Sequence, residues 1–145
     1  MQPTFPSLDP EACEPCGKCE VACVEARYGG GPYLPDDAFV LERRRLAIQV
    51  VAGIPSLEVC VHCPDSPCVT SCPHHALVRY PNGRVDLVEQ RCTGCGKCID
   101  ACPFGAIRRV TTLDIAVKCD ACATIAGGPA CLPACPTTAL SLVAR

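Results

Sequence analysis

Sixteen of the 145 residues are cysteine, and they fall into four groups of four. The first is Cys13, Cys16, Cys19 and Cys23, and the second is Cys60, Cys63, Cys68 and Cys72. The third is Cys92, Cys95, Cys98 and Cys102, and the fourth is Cys119, Cys122, Cys131 and Cys135. This internal repeat reads as four metal-binding turns, each with a short helix. No other framework is available to the chain. Trp is absent, aromatics make up 4%, and the 49% hydrophobic fraction counts the cysteines themselves. A chain of this length buries little apolar surface, so cross-links or metal-ligand bonds must supply much of its folding free energy.

The compartment decides between those two. The opening "MQPTFPSLDPEACEPC" reaches its first cysteine without the basic and apolar regions of a secretory signal. The Arg43–Arg45 run lies too far inside, and lacks a following apolar stretch, to act as a twin-arginine signal. A cytoplasmic location is expected, where thiols stay reduced and cysteine clusters hold metal. The most apolar segment, "LAIQVVAGIPSLEVCV", is interrupted by Gln49, Gly53, Pro55 and Glu58. It falls short of the roughly 18 apolar residues of a membrane span, so no span is expected. A formal charge of -2 speaks against a nucleic-acid partner.

The stretch "RCTGCGKCIDACPFGAI", residues 91–107, shows what the spacing is for. In C-x-x-C-x-x-C, a tight loop eased by Gly94 and Gly96 points three sulfurs at the corners of a cube and brings backbone N–H groups near the sulfides. The fourth cysteine comes about one helical turn later, aimed at a neighbouring cube, and the proline after it separates the segment from the next element. This is the bacterial ferredoxin run, and it reads as 4Fe-4S clusters. Zinc fits less well, because structural zinc pairs two C-x-x-C knuckles across a gap. Disulfides fit neither the compartment nor such close spacing.

The crossed-ligand rule assigns the sixteen cysteines to four clusters. Cys60, Cys63, Cys68 and Cys102 are expected around one, and Cys92, Cys95, Cys98 and Cys72 around its neighbour. Groups one and four then pair, giving Cys13, Cys16, Cys19 and Cys135 around a third and Cys119, Cys122, Cys131 and Cys23 around a fourth. The expected fold is α+β. Residues 52–112 form one ferredoxin-like module inserted into another made of residues 1–51 and 113–145, with short helices and β-hairpins.

Secondary structure between the groups is sparse. "ALVRYPNGRVDLV" reads as a hairpin about Pro81, Asn82 and Gly83, and "AIRRVTTLDIAV" and the terminal "TALSLVAR" read as matching short strands. Residues 27–45 hold no cysteine and many turn formers, and read as a surface excursion in which Arg43–Arg45 form a solvated face. His62 is expected to pack or to support the ligands, since the cysteines already complete four cubes. Lys18, Lys97 and Lys118 each adjoin a ligand cysteine, where a cation would stabilise the reduced cluster. No nucleophile with a paired base and no phosphate loop is evident, so an electron carrier is expected rather than an enzyme. Four oxidised clusters on sixteen thiolates would take the net charge to about -10.

Group two as C-x-x-C-x4-C-x3-C-P with "VHCPDSPC" inside it, and "KCDAC...GGPACLPACPTTAL" at the end, resemble the four-cluster iron-sulfur subunits of molybdenum and tungsten oxidoreductases. Formate dehydrogenase and DMSO reductase beta subunits belong there, as do ferredoxin-like subunits of hydrogenases and carbon monoxide dehydrogenases. The resemblance implies a chain of clusters carrying single electrons between a catalytic pterin subunit and another carrier. The compact size is most similar to the small subunit of tungsten-dependent aldehyde oxidoreductases, which works with a tungstopterin and a flavin subunit. A soluble hydrogenase, formate dehydrogenase or carbon monoxide dehydrogenase partner, or a free polyferredoxin, stays open. The chain departs from the family at Val24, which follows Cys23 where a proline is expected, and in the short gap from Cys122 to Cys131. The C-terminal membrane anchor of some relatives is not expected here.

Overall fold

The computed structural model describes residues 2–29 and 37–145. Its described elements are short helices and two-stranded antiparallel sheets, a small mixed α and β arrangement of the ferredoxin-like kind. The first pairing joins the two ends of the chain. Strand β1 (Thr4–Leu8) runs against β8 (Leu140–Ala144), from Thr4 opposite Ala144 to Leu8 opposite Leu140. Sequence reading missed β1 because Pro6 lies inside it; in a two-stranded sheet every strand is an edge, where a missing N–H is tolerated.

The "TALSLVAR" strand therefore pairs with the N-terminus. "AIRRVTTLDIAV" folds on itself, β6 (Arg108–Val110) against β7 (Ile115–Val117), so the two segments do not match each other in the way expected. The "ALVRYPNGRVDLV" hairpin is present as β4 (Leu77–Arg79) and β5 (Val85–Leu87). The apolar "LAIQVVAGIPSLEVCV" segment is also a hairpin, β2 (Leu46–Val51) and β3 (Ile54–Val59). Ala52 and Gly53 between them both take positive φ, 51° and 78°, as a tight primed turn requires.

Each cysteine group carries a helix. These are α1 (Lys18–Tyr28), α3 (Pro67–Ser71), α4 (Lys97–Ala101) and α5 (Cys131–Ala134). Three of them end at the fourth cysteine of the group. Cys72, Cys102 and Cys135 each precede a proline and have left the helical region, at ψ of 112°, 116° and 115°. A residue before proline is pushed out of the α region, which fixes the stop. In α1 no proline follows Cys23, and the helix runs on to Tyr28 with Val24 fully buried.

The cysteine-free excursion is partly helical. Residues 30–36 lie outside the described part, but Asp37–Arg43 form α2, with Val40 buried. The Arg43–Arg45 run that follows is not a solvated face. Arg43 pairs with Glu42 and Thr112, Arg44 with Glu20, and Arg45 with Glu89. The three guanidinium side chains are only 11 to 14% exposed.

Buried side chains gather in two places. One collects Cys19, Cys23, Cys119 and Cys131 with Leu46, Val59 and Leu140. The other collects Cys98 with Leu77, Val85, Ile107 and Ala116, and packs against Cys68, Cys72, Cys92 and Cys102. Helix α1 lies against α5 in the first, and α3 against α4 in the second. Cysteines are thus a large part of what the protein has for a core.

Candidate metal centres

All sixteen cysteines are free thiols, and the fold groups them. Cys60, Cys63, Cys68 and Cys102 line one cavity together with His62 and Lys118. Burial, followed by the neighbouring Cys60, pushes the thiols of Cys63 and Cys68 up, and Cys102 adds to both. Cys98 is pushed up to about 11 by burial, then by Cys92, Cys72 and Cys95.

Groups one and four behave alike. Cys13 is raised by burial and then by Cys135 and Cys16, while Cys19, which also feels Cys16, is pushed up to about 11, mainly by burial. Burial pushes Cys131 up to about 12, with Cys119, Cys23 and Cys122 adding to it. Cys119 reaches about 12 for the same first reason. Cys63 and Cys68 thus neighbour Cys102, Cys98 neighbours Cys72, Cys13 neighbours Cys135 and Cys131 neighbours Cys23, in each case the fourth cysteine of another group. Cys19, Cys23, Cys119 and Cys131 share one gathering of buried side chains.

The local backbone is shaped around the sulfurs. The N–H groups of Ala76, Ala139, Ala116 and Ala121 donate to Sγ of Cys72, Cys135, Cys92 and Cys119, each at 3.3 Å. The Arg45 N–H donates to Cys23 Sγ at 3.4 Å. Cys72 sits below its ordinary value although burial opposes this, because backbone N–H groups from His74 to Leu77 hold its thiolate. Cys135 is lowered against the same opposition by Thr137 and by the Ala139 N–H. Donors to sulfur stabilise the thiolate, which is the form that binds metal. Gly94 is forced by space: a Cβ there would lie 2.4 Å from the Asp114 carbonyl oxygen.

An orphaned donor tests whether a cluster fits. His62 is 1% exposed, and its Nδ1 accepts the Val85 N–H at 3.0 Å, so the ring is neutral with its proton on Nε2. Burial, with Lys118 and Arg84 adding to it, holds its pKa down at about 4. Nε2 has no protein partner, and the ring lines the cavity of Cys60, Cys63, Cys68 and Cys102. A buried donor needs an acceptor, and the sulfides of a cubic cluster supply several. Among the described residues no three or more His, Cys, Asp or Glu side chains close on a single ion. The four sulfurs of a cubic cluster instead stand at the corners of a cage.

Sequence reasoning did not find Glu20 and Arg45, which tie the site to the excursion, nor the bond from Lys118 to Cys60 Sγ at 3.4 Å. Of the three lysines beside ligand cysteines, Lys18 and Lys97 are exposed and Lys118 is 1% exposed.

Residues 51–145 match the family model described as a 4Fe-4S dicluster domain. The chain belongs to the 4Fe-4S dicluster domain family. Among relatives of this dicluster protein, an iron-sulfur protein of Rhodospirillum rubrum is 37% identical over 93% of this chain and 79% of its own. The electron transport protein HydN of Escherichia coli strain K12 is 37% identical over 97% of this chain and 88% of its own. Formate hydrogenlyase subunit 2 of the same strain is 36% identical over 96% and 81%. These relatives support an iron-sulfur, electron-transfer role for the dicluster chain. No helix among the described residues is long and apolar enough to cross a membrane.

Proposed function

We propose that this chain is a non-catalytic electron-transfer subunit of an oxidoreductase complex, with four 4Fe-4S clusters forming a path between a catalytic subunit and a flavin subunit or other redox carrier. When bound, each cluster takes up one electron and gives one back. The chain's own residues hold the clusters, exclude water and supply hydrogen bonds to sulfur. The observation that carries the reading is the crossed neighbourhood of the cysteines, in which members of one group lie beside the fourth cysteine of another.

The proposed ligands are Cys13, Cys16, Cys19 and Cys135; Cys60, Cys63, Cys68 and Cys102; Cys92, Cys95, Cys98 and Cys72; and Cys119, Cys122, Cys131 and Cys23. The two gatherings of buried side chains support a division into two modules, one inserted in the other, with both strands of the β2–β3 hairpin packed in the first and Ala116 of β7 in the second. The proposed boundaries are residues 1–51 with 113–145 for one module and 52–112 for the other. Cysteine clusters that hold metal favour a reducing compartment such as the cytoplasm.

For the catalytic partner, the resemblance in size favours a tungsten-pterin aldehyde oxidoreductase. The likeness to formate hydrogenlyase subunit 2 favours a formate- or hydrogen-linked partner instead. Anaerobic purification from the native source, with elemental analysis for tungsten, molybdenum and nickel and mass spectrometry of co-eluting chains, tests both. A stoichiometric pterin or nickel subunit supports the reading and names the partner class. Recovery of the chain alone, fully loaded with iron, makes it a free polyferredoxin.

A further inference from the structure

Lys118 is a buried lysine, 1% exposed, with no ion pair among the described residues. Its Nζ donates to Cys60 Sγ at 3.4 Å and to the Cys119 carbonyl at 2.9 Å. A buried cation is costly, and the group able to carry negative charge that the Lys118 ammonium touches is the Cys60 sulfur. The nearby cations differ: Arg27 is balanced by Asp120 and Arg45 by Glu89.

The cavity that Lys118 lines is also the one lined by His62, with its unpartnered Nε2–H. This cavity therefore receives both a positive charge without an ion-pair partner and a buried neutral donor. Adding an electron makes a cluster more negative, and fixed donors and cations favour that state; a buried charge is little screened by salt. Lys118 also sits at a junction, since Cys60 and Cys119 belong to different cluster pairs.

We propose that Lys118 and His62 are positioning residues that raise the reduction potential of the cluster held by Cys60, Cys63, Cys68 and Cys102, making it the resting place for an electron that crosses between the two cluster pairs. The inference rests on the ligand reading above. Lys118 supplies the charge to the Cys60 sulfur, and His62 supplies an N–H inside the same cavity.

The test is an EPR-monitored redox titration of the full chain, reconstituted anaerobically. If the wild-type chain does not bind about sixteen irons, the ligand reading fails, whatever Lys118 does. With that loading met, Lys118→Met shifts one midpoint to more negative potential and leaves the rest in place. His62→Gln moves the same midpoint by less, and Lys97→Met, at an exposed lysine, moves none. A fully loaded Lys118→Met chain with every midpoint unchanged overturns the proposal. Pulsed EPR of reduced wild-type protein, labelled with nitrogen-15 at lysine Nζ and in the histidine ring, needs no variant. Both couplings on one cluster spin support the proposal, and their absence from every cluster overturns it.

Discussion

The guanidinium of Arg44 donates to Oε1 of Glu20 at 2.9 Å, and the same oxygen accepts the backbone N–H of Ile48 at 2.8 Å. Glu20 is on the ligand-bearing helix α1, one residue after Cys19, and Arg44 and Ile48 flank the start of β2. One carboxylate therefore fastens the cysteine-free excursion to the helix that presents Cys19 and Cys23. Arg45 continues the seam, donating to Glu89, to the Lys118 carbonyl at 3.1 Å and to the sulfur of Cys23. The arginine run acts as an internal clamp between segments far apart in sequence.

Removing Glu20 should leave Arg44 and the Ile48 N–H without their acceptor in a mostly buried place. Glu20→Ala is expected to cost about 2 to 4 kcal/mol, with Glu20→Gln recovering part of the loss. Anaerobic denaturant unfolding of the iron-loaded chain measures this, and an unchanged midpoint for Glu20→Ala would show that the clamp contributes nothing.

Two glycines in the third cysteine loop should respond differently to alanine. Both have positive φ, 72° at Gly94 and 81° at Gly96, but a Cβ at Gly96 meets nothing within 4 Å. Gly96→Ala should cost about 1 kcal/mol for the left-handed backbone alone. Gly94→Ala must also displace the backbone of Asp114, for a total on the order of 3 kcal/mol, and should release iron first from the set containing Cys92. Unfolding curves and iron retention compare them, and equal costs would refute the steric account.

Replacing Val24 with the proline found after the fourth cysteine in the other groups should harm this chain. Val24 is inside α1, fully buried, and the turn beyond it carries Arg27 to its pairing with Asp120. Val24→Pro is expected to cost about 3 kcal/mol or more. Circular dichroism and iron content report the outcome, and a variant as stable as wild type would mean that the extra helical turns do not matter.

A chain ending at residue 133 lacks Cys135 and the whole of β8, the strand that holds the N-terminal segment in place. It should lose the cluster of Cys13, Cys16 and Cys19, although those residues are untouched. Iron per chain decides it, and full iron content in the truncated protein would break the pairing of groups one and four.

What could be read from the sequence was what is local. A C-x-x-C-x-x-C loop and a cysteine before proline fix their own geometry, which is why the four turns with their helices were legible. The clamp was not, because Arg44, Arg45 and Arg43 find partners 24, 44 and 69 residues away. Charge runs read alone look like surface. Strand β1 was hidden by Pro6, and the separate partners of β6 and β8 were hidden because short strands carry no address. Lys118 was visible as a lysine beside a cysteine, but its burial and its bond to Cys60 depend on the folded arrangement.

The central claim is that sixteen cysteines hold four cubic clusters through crossed ligation. Iron and acid-labile sulfide, counted per chain in anaerobically prepared protein, test it most directly. The account predicts about sixteen of each. About eight of each would leave half of the cysteines without a cluster, and zinc in place of iron with no labile sulfide would contradict the account outright.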